Sequence, residues 1–234
     1  DRDKKSVEDD IKNWLTDPNL NQIEKSLDLL NRAKKPVVIA GLGAGATVLS
    51  DDLDKFLSKT KIPFFGVDTA RALVPDSHEC SLGIGYLPLN KSAQRISESD
   101  VVLLLGVKLD YQLGFGGSPP FNENTKIICV DPDIQQLNRS RTVSLVVNSD
   151  VGPYVELINK ESAKMKWNNF EWLKSLKDTK DNYISEMNKL SDGKLPMHPM
   201  DVSLSIQENL DEDTFVVFDG GDYFETPSIG RVVV

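Results

Sequence analysis

A doubly wound α/β fold, with helices on both faces of a parallel sheet, is what this sequence predicts, and three observations predict it. Five short apolar runs, at 37–40, 62–67, 101–105, 127–130 and 145–147, show no polar–apolar alternation. Strands that read this way are covered on both faces. Helix-period stretches lie between the runs, and alternating strands and helices build a parallel sheet. The 234 residues and 39% hydrophobic content are enough to bury a proper core.

In chain order, residues 6–33 read as two helices. Ser6 with Asp9 resembles a capping box, and Val7, Ile11 and Trp14 or Leu15 share a face. Asp17-Pro18-Asn19 breaks the pattern, and Leu20, Ile23, Leu27 and Leu30 resume it until Pro36. Val48 or Leu49, Leu53 and Phe56 make one face of a helix over 47–59, and 92–99 is a shorter helix. Tyr154, Leu157 and Ile158 anchor a helix at 152–163. The α/β domain therefore occupies about 20–163, with the first helix as an arm, and 1–163 is taken as the first unit.

Residues 164–195 are rich in Lys, Asn, Asp and Glu. Phe170, Leu173, Ile184, Met187 and Leu190 suggest one long amphipathic helix, broken near Asp178, that connects two domains. The chain restarts at Met197 with a helix over 202–210 and a strand over 214–218 running into Asp219-Gly-Gly-Asp222. About 40 residues with one helix and one strand cannot bury a core alone. Either residues 196–234 pack back onto the first domain or they are the truncated start of a second α/β domain and the chain is a fragment, and the fragment is the favoured reading.

Composition narrows the function. The net charge of −9 argues against non-specific nucleic-acid binding, which needs a basic surface. No apolar run approaches a membrane span of roughly 20 residues, and the Asp1–Lys5 segment has no apolar h-region behind it. The two cysteines, Cys80 and Cys129, both beside apolar residues, read as buried reduced thiols in a cytoplasmic protein. His78 and His198 stand 120 positions apart with no Cys/His cluster, so neither a zinc site nor a Ser-His-Asp elbow is indicated.

Gly41-Leu-Gly-Ala-Gly-Ala46 follows the first strand and fits a G-x-G-x-x-[G/A] turn through Gly41, Gly43 and Ala46. Glycines there let the backbone turn tightly and approach a pyrophosphate at a helix N-terminus. The same turn could be an empty strand-to-helix connection, and the nearest acidic residue, Asp68, lies 27 positions after Gly41. Asp131 and Asp133 follow the strand at 127–130 and could accept ribose hydroxyls or cap a following helix opened by Pro132.

Taken together the segments resemble a thiamine-diphosphate enzyme of the acetolactate synthase type. The resemblance is carried by 33–43, Ala70-Arg-Ala-Leu-Val-Pro-Asp-Ser-His78, Ser81-Leu-Gly-Ile-Gly85, 99–110, Ile128-Cys-Val-Asp-Pro-Asp133 and Asn148-Ser-Asp150. It implies a Rossmann-like central domain with a six-stranded parallel sheet, which binds FAD in acetolactate synthases and ADP in oxalyl-CoA decarboxylases. It also implies thiamine diphosphate and magnesium in the full-length enzyme, a 2-oxo acid substrate and a homo-oligomer. The rivals are a 2-hydroxyacyl-CoA or oxalyl-CoA lyase of the same family and a non-catalytic nucleotide-binding or structural module.

Through this resemblance Gly41 and Gly43 are expected at the phosphates of FAD or ADP, with Asp68, Thr69, Gly83, Lys108, Asp131 and Asp150 lining the rest. Gly220, Gly221, Asp222 and Tyr223 offer partial contacts to the thiamine pyrophosphate. Lys108 stands where the family carries a flavin-contacting arginine, and lysine lacks that planar fork. Asp131 stands where the family often has an acidic residue at the adenosine ribose, so the resemblance supports binding of an ADP-ribosyl portion better than binding of the flavin, with FAD and ADP both open. The activating glutamate of the first domain and the Gly-Asp-Gly…Asn magnesium motif are missing from the chain. No catalytic or metal-ligating residue is assigned, and the chain alone is expected to be inactive.

Overall fold

In the computed structural model the described residues are 14–48, 51–133, 143–211 and 214. The expected first helix falls largely outside them, as do any helix after Pro132 and the strand expected over 214–218.

The first described helix, α1 (Leu20–Arg32), starts at Asn19, whose side chain accepts the Asn21 N–H in a capping box completed by Gln22. Ile23, Leu27 and Leu30 are its buried stripe. Then follow β1 (Pro36–Ala40), α2 (Leu42–Thr47), α3 (Asp52–Thr60), β2 (Phe64–Gly66), β3 (Ser81–Ile84), the short α4 (Lys91–Gln94), β4 (Val101–Leu105), β5 (Lys126–Val130) and β6 (Leu145–Val147). Helices α5 (Val151–Ser162), α6 (Phe170–Asn188) and α7 (Pro199–Glu208) complete the described chain. Turns of 3₁₀ helix occupy Asp68–Leu73, Arg95–Glu98 and Tyr111–Gly116.

The six strands form one sheet in the order β3-β2-β1-β4-β5-β6, and every pair is parallel. Burial explains the unbroken apolar runs. Val38, Ala40, Leu103, Leu105, Ile128 and Val130 face one core with α1, α3 and α5. Their neighbours Val37, Ile39, Val102, Leu104, Ile127 and Cys129 face a second core with Ile96 and the α6 residues Trp172 and Leu176. Alternate residues thus point to opposite faces, and both faces are dry. The predicted doubly wound parallel fold is what is observed.

Three elements differ from expectation. The helix expected over 47–59 is two helices, because Val48 turns extended after α2 and Asp51 precedes α3. The sixth strand is β3, whose Gly83 interrupts the apolar run and takes φ 83°. Helix α6 is unbroken at Asp178, and it buries Trp172, Leu173 and Leu176. Phe170, Ile184 and Leu190 are exposed.

Helix α6 is seated on the sheet along its first half. The Trp172 indole donates to the Pro36 carbonyl at 3.1 Å, and the Ser92 hydroxyl donates to the Leu176 carbonyl at 2.8 Å. The Lys35 ammonium lies 4.9 Å and the Arg95 guanidinium 5.2 Å from the Trp172 ring centroid. Both cations bond Glu98, and Arg95 and Lys35 together hold its carboxyl down at about 2. The sheet's outer carbonyls are also engaged: the Gln22 amide donates to Val146 on β6 at 3.0 Å, and Lys180 to Ser81 on β3 at 3.4 Å. Both thiols are free and buried, and burial pushes each up to about 12.

Helix α2 meets α5 with no room to spare. The Gly152 N–H donates to the Thr47 hydroxyl at 3.2 Å, and a Cβ on Gly152 would lie 2.2 Å from the Thr47 carbonyl oxygen. Gly152→Ala is expected to cost about 1–3 kcal/mol by overpacking against backbone. Gly117→Ala, where a Cβ would meet its nearest atom at 3.4 Å, should be near neutral. Urea denaturation of both variants measures the difference.

Candidate functional site

In parallel α/β sheets ligands bind outside the carboxyl ends of the strands, where strand order reverses. Here the reversal lies between β1 and β4. The chain leaves β1 at Gly41, β4 at Gly106, β5 at Asp131 and β6 at Asn148. Most of the expected residues therefore reach the same edge. Gly41 and Gly43 lie in the β1–α2 turn and Lys108 follows β4. Asp68 and Thr69 open the 3₁₀ turn after β2, and Asp150 precedes α5. Gly83 sits within β3, where a Cβ would meet nothing within 4 Å. Gly220, Gly221, Asp222 and Tyr223 lie outside the described residues.

The glycine turn has a tighter role than phosphate approach alone. Gly41 N–H donates to the Leu105 carbonyl at 3.0 Å and Gly43 N–H to the Gly106 carbonyl at 3.1 Å. The Ala44 and Gly45 N–H groups donate to the Gly41 carbonyl. A Cβ on Gly43 would lie 2.9 Å from the Gly106 Cα, and one on Gly41 2.9 Å from the Gly106 oxygen. Gly106 has φ 59°, and a Cβ there would lie 2.6 Å from the Ala44 nitrogen. These glycines lock the β1 turn onto the β4 turn. Gly106 was not among the expected residues, although a glycine directly after an unbroken apolar strand was visible as a signal.

Asp150 is similarly engaged. Its carboxylate accepts the Thr16 N–H at 2.7 Å, its own N–H donates to the Thr16 carbonyl at 3.0 Å, and the Ser149 hydroxyl reaches the same carbonyl at 2.9 Å. The arm before α1 is thereby pinned beside β6. Nothing in the spacing pointed to Thr16, which lies 134 residues from its partner.

Lys108 and Asp131 keep polar groups at the edge. Lys108 is exposed and Asp131 half-buried. The Asp131 carboxylate accepts the Asp133 N–H at 2.8 Å. Burial raises the Asp131 carboxyl above its ordinary value. The Asp133 N–H and the Lys108 charge pull it back, and the charges of Asp133 and Asp150 push it further up. Asp131 offers an acceptor for hydroxyls, Lys108 a cation for phosphate, and Gly83 an open stretch of backbone. Lys108 and Asp131 thus leave polar groups at the edge, whereas Gly41 and Gly43 are pressed against Gly106.

A groove of about 430 Å³ lies elsewhere, between the Lys91–Glu98 segment and α6. Its Arg95 is already committed to Glu98, Ser175 and Thr179. No group of three His, Cys, Asp or Glu among the described residues could hold a metal ion. Nor is any described helix long and apolar enough to cross a membrane.

Sheet order and double coverage define the chain's class, a doubly wound parallel α/β domain. Residues 23–158, more than half of the chain, match the family described as thiamine pyrophosphate enzyme, central domain. The chain belongs to the thiamine pyrophosphate enzyme family through that domain. A mouse 2-hydroxyacyl-CoA lyase 1 is 26% identical over 210 residues, 88% of this chain and 35% of the relative. A rice 2-hydroxyacyl-CoA lyase is 35% identical over 143 residues, 59% of this chain and 23% of the relative. The acetolactate synthase large subunit IlvG of Mycobacterium tuberculosis is 26% identical over 208 residues, 88% of this chain and 36% of the relative. A solved structure from Mycobacterium smegmatis, described as a thiamin diphosphate-dependent enzyme, shares the fold at TM-score 0.52. It is 17% identical and covers 62% of this chain and 28% of that one. The chain spans about a third of the length of the curated relatives it matches over most of its residues.

The edge geometry yields two expectations. Gly43→Ala should lower stability by about 1–3 kcal/mol with no nucleotide present, since the methyl meets Gly106 backbone; denaturation of ligand-free protein measures it. A carboxyl raised in the folded state binds its proton more readily there than in the unfolded chain. Its ionisation therefore removes stability as pH rises through the window above the ordinary Asp value. Asp131→Asn is expected to be more stable than wild type at pH 7. That gain should vanish below about pH 4, where both forms are neutral, as thermal melts across pH would show.

Proposed function

We propose that this domain serves a thiamine-diphosphate-dependent enzyme that breaks or makes a carbon–carbon bond beside a carbonyl, and that its carboxyl edge holds an adenine nucleotide of the ADP type. The observation that carries the nucleotide reading is an exposed Lys108 after β4 with a half-buried Asp131 after the adjacent β5, on the edge where strand order reverses between β1 and β4. Lys108 would neutralise the phosphates and Asp131 would accept ribose hydroxyls. Asp68, Thr69 and Gly83 would line the β2–β3 side, and Asp150 would stay with the arm. Bound thiamine diphosphate supplies the carbanion stabilisation such chemistry needs. Its expected contacts at 220–223 lie beyond the described residues, so no step is derived through it.

Of the two chemistries, the 2-hydroxyacyl-CoA lyase type is the better supported. Lysine at 108 weakens the case for a flavin, and the rice lyase is 35% identical over its matched stretch. The acetolactate synthase type remains the second reading, because IlvG matches 88% of the chain at the same 26% identity as the mouse lyase. A pyruvate-like 2-oxo acid belongs with that reading, whereas magnesium, a homo-oligomer and a cytoplasmic setting are common to both.

Calorimetry of the 234-residue chain should detect ADP more tightly than FAD, with about a tenfold loss of ADP affinity in Lys108→Ala, the scale of a lost charge-assisted contact. No heat and no thermal shift with either ligand at millimolar concentration would sink the nucleotide reading. Full-length protein given magnesium and thiamine diphosphate should consume a 2-hydroxyacyl-CoA. Turnover of pyruvate alone would instead select the synthase.

A further inference from the structure

We propose that Tyr111 and Phe115 form a stacking platform for the planar ring of a nucleotide base. The inference rests on the nucleotide reading above and names the groups that would recognise the base. Both side chains belong to the 3₁₀ turn Tyr111–Gly116, which begins three residues after Lys108 on the way out of β4. Tyr111 is 69% exposed and Phe115 57%.

The turn is rigidly held. The Asp110 side chain accepts the Gln112 N–H at 3.0 Å, and the Asp110 carbonyl accepts Leu113 N–H at 3.2 Å and Phe115 N–H at 2.7 Å. Leu113, on the same turn, and Phe121, beyond it, are each 1% exposed and belong to the core.

Within this frame Phe115 takes φ 53° and ψ 29°, the left-handed region that a side chain with a Cβ adopts only at a cost. Glycine flanks it at 114, 116 and 117, and glycine at 115 would adopt the same backbone without strain. Core packing does not explain Phe115, because more than half of its surface faces water. Strain of this kind persists where it prepares a site. A rigid aromatic face presented to solvent is what base stacking uses, with little rotamer entropy left to lose.

The surroundings favour a base over a protein partner. Gln112, Gly114, Gly116, Gly117 and Ser118 separate and border the two rings. Two rings interrupted by glycine and polar residues suit a single planar ring better than the roughly 800 Å² per partner of a stable interface. The nearby cation at Lys108 suits the phosphate end of the same ligand.

Calorimetry of the full chain with ADP and, separately, with inorganic pyrophosphate tests this. Phe115→Gly is expected to weaken ADP about tenfold, the scale of one stacked base. Pyrophosphate affinity should stay within about twofold of wild type, and the thermal midpoint should be no lower, because the strain is relieved. Tyr111→Ala should weaken ADP in the same direction. ADP affinity unchanged in both variants would overturn the platform and leave the nucleotide reading standing. Failure of wild type to bind ADP would overturn both. Sedimentation that finds a wild-type dimer dissociated by Phe115→Gly, with ADP affinity unchanged, would assign the rings to contact between copies and overturn the platform.

Discussion

Everything at the carboxyl edge depends on one backbone contact, the seating of the Gly43 turn on Gly106. Two adjacent parallel strands carry their chains away in opposite directions at the reversal, and here the two departures interlock instead of diverging. Gly106 reaches Gly43 by taking φ 59°, and neither residue has room for a Cβ. The contact fixes where α2 begins. The far end of α2 then fixes α5, because Thr47 receives the Gly152 N–H and its carbonyl lies against Gly152. A short chain of glycine contacts thus sets the sheet, two helices and the position of Lys108. A side chain at any of these glycines would move the edge as a unit.

Much of this was legible from residue patterns, and the misreadings have physical causes. Unbroken apolar runs found five of six strands because both faces of the sheet are dry. The sixth escaped because Gly83 breaks its run with a left-handed residue. In α6 two apolar stripes compete, and sequence alone cannot tell which one meets a partner. Trp172, Leu173 and Leu176 join the two cores against the sheet, whereas Ile184, and Leu190 beyond the end of the helix, are exposed. At the edge the structure adds contacts that spacing alone did not show. The glycine spacing that suits a phosphate also suits backbone pressed on backbone, and only the position of Gly106 separates the two. Asp150 had a ligand-like address but is claimed by Thr16, a contact across 134 residues that no local pattern encodes.

The opposite edge of the sheet is held by charge and aromatic contact. Lys35 and Arg95 both lie against the Trp172 ring, both cations meet at Glu98, and the indole bonds the first carbonyl of β1. Desolvated cation–π contacts are worth up to about 2 kcal/mol. Partial exposure of both cations puts these lower. Their service is positional: they tie α6 to the amino ends of β1 and β4, away from the Lys108 and Asp131 edge. The segment that follows the sheet in sequence is anchored at one end of the strands, and the polar groups face outward at the other.

Open sheets carry a liability, since an outer strand with free carbonyls is a template for another copy's strand. Here β6 is three residues long and the Gln22 side chain sits on its outward Val146 carbonyl. At the other margin Lys180 reaches the Ser81 carbonyl, and β3 pairs with β2 through a register shift. Charged or amide side chains on outward carbonyls, short strands and irregular register are the devices that discourage polymerisation through strand addition. Each margin of the described sheet thus carries features that discourage addition of another strand, and a fold built this way is shielded from growth into fibres through its edges.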